Sequence, residues 1–216
     1  SGAIAGGGGT NSLQLDDVVN AVTVTGAESG TATGVGGGFS AINGAITGGS
    51  NTDAFDLNGG TLSGAIAGGG GTNSLQLDDV SSTVNATGAE SGTVTGVGGG
   101  FSAINGAVTG GAGNDAFFFN GGTLSGAVDG GGGSNSLHLD DVANTIEVTG
   151  GDSGTATGIG GGFSNMNQSV NGGSNSDAFD LNGGTLTGAI VGGGGTNSLQ
   201  LDDVVNAVTV TGAESG

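Results

Sequence analysis

The sequence has no lysine and no arginine, set against 19 Asp and Glu, for a net charge of −19. Lys–carboxylate and Arg–carboxylate pairs are therefore excluded. Nucleic acid and anionic membrane surfaces are held through Lys and Arg, so both would repel such a chain. The natural counter-partner is a metal cation. Cysteine is absent, which removes disulfides and thiolate chemistry. Trp, Tyr and Pro are absent too, and there is a single Met. No apolar stretch approaches the roughly 18 residues that a helix needs to cross a bilayer. Ser1 stands where an initiator Met would, so any targeting signal is expected outside this sequence. Proteases that cut after basic residues have no site here, which suits a protein living outside the cell. Catalysis has little to stand on, because the one histidine, His138, occupies a position held by Gln14, Gln76 and Gln200 elsewhere and reads as surface variation.

What is present is glycine, 56 residues of 216, arranged in a tandem array. Residues 1–30 and 187–216 differ only at Ser1 against Thr187 and Ala5 against Val191. The period is 62 residues without gaps, giving repeats 1–62, 63–124 and 125–186 and a partial repeat 187–216, read as one continuous array. Arrays of this kind are built from units that touch mainly their neighbours, so function is expected to belong to the array and not to one pocket.

Gly-rich linkers lack regularly spaced large apolar residues, whereas here the spacing is regular. Phe55 and Leu57, then Leu75 and Leu77, alternate at matching offsets, followed by Val97; alternation with period two is a strand signature. Asn58-Gly59-Gly60 and Asp78-Asp79 mark tight corners between strands. The fold class expected is all-β, a parallel β-solenoid of the β-helix or β-roll kind, with 20–22 residues per coil and three coils per repeat. At ~4.8 Å between paired strands, each repeat would rise about 14 Å. Met166, which replaces Ile42 and Ile104, is expected in the core.

The turns carry the candidate chemistry. Gly110-Gly111-Ala112-Gly113-Asn114-Asp115-Ala116-Phe117-Phe118 fits G-G-x-G-x-D-x-U-x and resembles the calcium-binding nonapeptide of the RTX family of secreted bacterial proteins. Gly48 to Asp53 and Gly172 to Asp177 keep the Asp and lose the fourth Gly. The resemblance implies calcium held by Asp53, Asp115 and Asp177 with the carbonyls of Gly48, Gly110 and Gly172. Calcium takes six to eight oxygen ligands, which carboxylates and carbonyls supply. The second segment of each repeat offers Asn11, Asn73, Asn135 or Asn197 at that position, and the third offers Glu28, Glu90, Asp152 or Glu214 three residues before it. Stacked along one edge, such a column is either a calcium site or a hydrogen-bonded Asn/Thr ladder. A second acidic column, expected at the opposite corner, comes from Asp16-Asp17, Asp78-Asp79, Asp140-Asp141 and Asp202-Asp203. It reads as a solvated corner or a divalent-cation site. Phe118, which stands where Asp56 and Asp180 stand, reads as a stray exposed aromatic or a lateral contact.

The wider pattern, G-T-A-T-G-V-G-G-G-F-S followed by the G-G-x-x-x-D turn and N-G-G-T-L-S-G-A-I, resembles repeats of large secreted bacterial surface proteins, the filamentous-haemagglutinin-like and autotransporter-like adhesins. The resemblance implies a non-catalytic segment of an extracellular fibre or adhesin stalk at a bacterial cell surface. Its partners would be itself, end to end or side by side, and divalent cations, with no nucleic acid and no membrane insertion. A calcium-dependent RTX-like binding module is the alternative. An ice-binding surface, prompted by Thr23-Val24-Thr25 and Thr31-Ala32-Thr33, is a minor one.

Overall fold

The structure, a computed structural model, describes residues 2–209. Glu214 and Ser1 lie outside the described residues. Within them the chain is all-β, with 23 strands and no helix. The first repeat holds β1 (Ile4–Ala5), β2 (Leu13–Gln14), β3 (Asn20–Gly26), β4 (Ser29–Ala32), β5 (Val35–Ser40), β6 (Ile46–Thr47) and β7 (Asp53–Leu57). The second holds β8 (Ile66–Ala67), β9 (Ser74–Gln76), β10 (Thr83–Gly88), β11 (Ser91–Val94), β12 (Val97–Ser102), β13 (Val108–Thr109) and β14 (Ala116–Phe119). The third holds β15 (Val128–Asp129), β16 (Ser136–His138), β17 (Thr145–Gly150), β18 (Ser153–Ala156), β19 (Ile159–Ser164), β20 (Ser169–Asn171) and β21 (Ala178–Asp180), and the partial repeat adds β22 (Ala189–Val191) and β23 (Ser198–Gln200).

These strands form two mostly parallel sheets. The first runs in the order β1-β5-β4-β3-β7-β9-β13-β15-β19-β18-β17-β21-β23, and the second in the order β2-β6-β8-β12-β11-β10-β14-β16-β20-β22. The chain passes from one sheet to the other at almost every turn. The exceptions are the runs β3-β4-β5, β10-β11-β12 and β17-β18-β19, each an antiparallel meander within one sheet. Here the structure departs from the three parallel coils per repeat expected from sequence. Gly26-Ala27-Glu28-Ser29, with Glu28 at φ 55°, and Thr33-Gly34, with Gly34 at φ 81°, are tight hairpin turns that fold the third segment back twice.

The meander has a consequence for the array as a whole. Each repeat crosses between sheets five times, an odd number, so equivalent strands of successive repeats fall in opposite sheets: β1 in the first, β8 in the second, β15 in the first. Val22 in β3 and Ile146 in β17 are two repeats apart and lie seven strands apart in one sheet. At ~4.8 Å per strand the rise is about 17 Å per repeat, more than three parallel coils would give.

The alternating apolar residues point inward from both sheets into a single cluster. In the first sheet Val22, Phe55, Leu75, Val108, Val128 and Phe163 stack in register. In the second, Leu13, Ile46, Ile66 and Phe101 do the same. Full burial of each such side chain contributes about 1.5–3 kcal/mol. Met166 is fully buried, as expected for its repeat position. Close approach of backbones explains the V-G-G-G-F strand: a Cβ on Gly99 would lie 2.6 Å from the Ala65 nitrogen of the neighbouring turn.

Candidate functional site

Hydrophobic strands leave the chemistry to the turns at the sheet edges, where turns from different parts of the chain stack. The Asn20 N–H donates to Asp53 Oδ1 (2.9 Å), the Asp53 N–H to Asn73 Oδ1 (2.9 Å) and the Asn73 N–H to Asn105 Oδ1 (2.8 Å). One repeat later the same relay runs from Ser82 to Asp115 (2.7 Å), to Asn135 (2.9 Å) and to Asn167 (2.8 Å). A third runs from Asn144 to Asp177 and on to Asn197, each step 2.9 Å. Because repeats alternate between sheets, successive ladders occupy opposite edges: Asp53 lies where the chain enters the first sheet and Asp115 where it enters the second. Asp53, Asn73, Asp115, Asn135 and Asp177 are all buried, so these polar groups must find partners inside the protein.

The Asp and Asn turns satisfy that demand in opposite ways. In Gly48-Gly49-Ser50-Asn51-Thr52-Asp53 the carboxylate accepts: Asp53 Oδ1 takes the Asn20 side-chain amide (2.8 Å) as well as the Asn20 N–H, and Oδ2 takes the Gly49 N–H (2.9 Å). In Gly68-Gly69-Gly70-Gly71-Thr72-Asn73 the amide donates: Asn73 Nδ2 reaches the Gly70 carbonyl (2.9 Å) and the Ala103 carbonyl (3.1 Å). Turning carbonyls inward requires φ +83° at Gly69 and +74° at Gly71, which only glycine adopts at no steric cost. No such angle occurs at Gly48, Gly49, Gly110, Gly111 or Gly113. The extra glycine of the complete nonapeptide match, Gly113, therefore does not create a left-handed turn conformation of its own.

The carbonyls of Gly48, Gly110 and Gly172 meet amide donors: Gln14 Nε2 (2.8 Å), Gln76 Nε2 (2.6 Å) and Asn144 Nδ2 (2.7 Å). Burial pushes the Asp115 carboxyl above its ordinary range, and the Ser82 and Gly111 N–H groups pull it back down. In the third turn Gly173 sits at φ +102° and turns its N–H to Asn171 Oδ1 (3.3 Å). Asp115 Oδ2, Asp177 Oδ2, Asn20 Oδ1 and Asn144 Oδ1 are buried with no hydrogen-bond partner among the described residues.

The other acids fall into two further groups. Glu28, Glu90 and Asp152 do not join the Asp/Asn column. They sit at the first hairpin of each meander with φ 50–55° and hold the next repeat. Glu28 accepts from the Ser63 N–H (2.8 Å) and hydroxyl, Glu90 from those of Ser125, and Asp152 from the Thr187 N–H (2.6 Å) and hydroxyl (2.9 Å). The Asp-Asp pairs do not sit across the coil from the turns they hydrogen-bond to; they stack directly on them. Asp17 Oδ1 accepts the Ser50 N–H, Asp79 Oδ1 the Ala112 N–H and Asp141 Oδ1 the Ser174 N–H, all at 2.9 Å. The first Asp of each pair, Asp16, Asp78, Asp140 or Asp202, accepts the N–H of the second. What sequence reasoning missed is that a capping acid lies about 33 residues from the turn it caps, beyond any local motif.

Asp56, Asn58, Gln76, Asp78 and Asp79 line a shallow polar hollow, and Asp180, Asn182, Gln200, Asp202 and Asp203 line its counterpart. Burial raises the Asp56 pKa, and the neighbouring charges of Asp78 and Asp79 raise it further. In the middle repeat Phe118 stacks on His138 with ring centroids 4.4 Å apart and planes 14° apart. The two residues that read separately as variation are thus one contact. Burial lowers the His138 pKa, and its Nδ1 lies 3.3 Å from Asn171 Nδ2. Thr23 pairs with Thr31, but the equivalent pairs are Asn85 with Thr93 on the opposite sheet and Glu147 with Thr155, so no continuous threonine array forms among the described residues.

Calcium would require six to eight oxygens. The Asp53 carboxylate already accepts three N–H donors, whereas Asp115 and Asp177 each keep Oδ2 open. Among the described residues no group of three or more His, Asp or Glu side chains is arranged to hold a metal ion. Compared with known proteins, the chain matches no described family, no curated protein and no solved structure.

Proposed function

We propose that the chain is a non-catalytic β-solenoid segment of a long extracellular bacterial fibre or adhesin stalk. The observation that carries this reading is the same set of turn ladders and one continuous core recurring from repeat to repeat while the sheets alternate, so that each added unit extends the array without altering the one before it. The work of such a segment is reach and stiffness. A chain bearing −19 and no positive side chain keeps neighbouring segments soluble through mutual repulsion. Chains of three, six and nine repeats, measured by small-angle scattering or electron microscopy, should lengthen linearly by about 17 Å per repeat. A length that saturates, or a compact particle, would overturn the reading.

A second reading is calcium-dependent stabilisation, favoured by the open Oδ2 of Asp115 and of Asp177. Thermal melting with calcium and then with excess chelator tests it. Identical curves would remove calcium from the account and leave the hydrogen-bonded ladders as the stabilising element.

A further inference from the structure

Repeats this similar face a problem of register. A turn that stacks on its neighbour finds a nearly identical surface 62 residues further on, and strand pairing by itself specifies register weakly where alternatives look alike. The positions at which the repeats differ are not scattered at random over the fold. Several fall in pairs that touch across stacked turns, and both members change together. Val24 lies in register with Leu57, and its counterpart Ala86 with Phe119: the smaller residue faces the larger. Asp56 lies beside Gln76, Asp180 beside Gln200, and Phe118 beside His138, the only one of the three pairs that stacks as rings. Glu28 and Glu90 meet serines, whereas the shorter Asp152 meets the bulkier Thr187. Ala67 and Ala103 become Asp129 and Asn165, whose side chains hydrogen-bond at 2.6 Å.

We infer that these matched pairs are register keys: they make each turn fit its own neighbour better than the equivalent turn one repeat away or in another copy of the chain. A slipped array would set Phe119 against Val24 or Val148 and lose the Phe118–His138 stack. Overpacking in a full core is itself destabilising. Residues 86, 118, 119, 129, 138, 152, 165 and 187 thereby fix the order of the repeats, while the shared residues fix the fold.

Two measurements test this. In a double-mutant cycle, Ala86→Val and Phe119→Leu should each lower Tm by roughly 3–8 °C, while the double variant returns to within about 2 °C of the parent. Simple addition of the two losses would overturn the inference. The chain has no cysteine, so thiol cross-linking reports register cleanly. Glu28→Cys with Ser63→Cys reports the native pairing, and Glu28→Cys with Ser125→Cys reports a slip of one repeat. In the chain as it stands a short bis-maleimide should join only the first pair. With the eight key positions, spread over the second, third and partial repeats, converted to first-repeat residues, the second pair should begin to cross-link, within or between chains. Equal cross-linking with and without the keys, or none in either, would show that they do not set register.

Discussion

The Asp53 turn and the Asn73 turn stack on each other, follow the same strand direction and end in nearly isosteric side chains, yet their backbones point opposite ways. A carboxylate only accepts, so the Asp53 turn presents the Gly49 N–H inward. An amide also donates, so the Asn73 turn presents the Gly70 carbonyl inward. Only the second arrangement needs positive φ, and it has four consecutive glycines where the first has two. In this pair of turns, one atom in a buried side chain goes with the turn conformation and, through it, with where glycine is required.

Glycine substitution breaks this comparison most severely. A Cβ on Gly71 would lie 2.5 Å from the Asn51 carbonyl carbon, and the residue is left-handed, so Gly71→Ala is expected to cost about 3 kcal/mol or more in urea unfolding. Ser50→Ala, at a position where the second repeat already has Ala112, should cost almost nothing. Next comes exchange of the turn-closing residues. Asn73→Asp sets a carboxylate against the Gly70 and Ala103 carbonyls, a loss of about 2–4 kcal/mol, while Asp53→Asn sets an amide against the Gly49 N–H, about 1–3 kcal/mol. Replacing residues 48–53 as a block by the Gly68–Asn73 hexapeptide should recover most of the Asp53→Asn loss, since residue and backbone then agree.

Acid sharpens the comparison through the Asp115 turn and the nearby carboxyl of Asp56 in the first repeat. The folded-state pKa of Asp115 is raised above the ordinary 3.8, as is that of Asp56. The folded state therefore binds these protons more tightly than the unfolded chain does. Their contribution is fully present below about pH 3.8 and is lost as pH rises through the raised values. Melting curves should accordingly move upward on acidification from pH 7 towards pH 4, and Asp56→Asn should reduce the rise. The smallest effect expected is a gain. Ala103 is held at φ 53°, and its third-repeat counterpart is Asn165, a residue type that tolerates this conformation. Ala103→Asn should therefore add about 0.5–1 kcal/mol in chemical denaturation.

The parts legible in the sequence were those set by local chemistry. The alternation of Phe55 with Leu57 and of Leu75 with Leu77 gave strands and their inward faces, because side chains on a strand alternate by geometry. The resemblance to an RTX turn drew attention to Asp53, Asp115 and Asp177; the hydrogen bonds form a ladder there, but its members are Asn20, Asp53, Asn73 and Asn105, without the threonines of the expected Asn/Thr ladder and without Glu28 or Glu90. The meander was missed because Gly26-Ala27-Glu28-Ser29 was read as one corner of a coil, when its positive φ at Glu28 makes it a hairpin.

By itself, then, the sequence determined the 62-residue period, the all-β class, the inward apolar residues and the exclusion of cysteine chemistry and of Lys and Arg pairing, since each follows from residue type and spacing along one chain. The tertiary structure alone decided that an odd number of crossings sends successive repeats to opposite sheets, that Asp17 caps a turn 33 residues away, and that Phe118 rests on His138. Those outcomes depend on which turns lie on which, and that is fixed by closure of the hairpins and packing of the core, through contacts between residues about 20 to 35 positions apart.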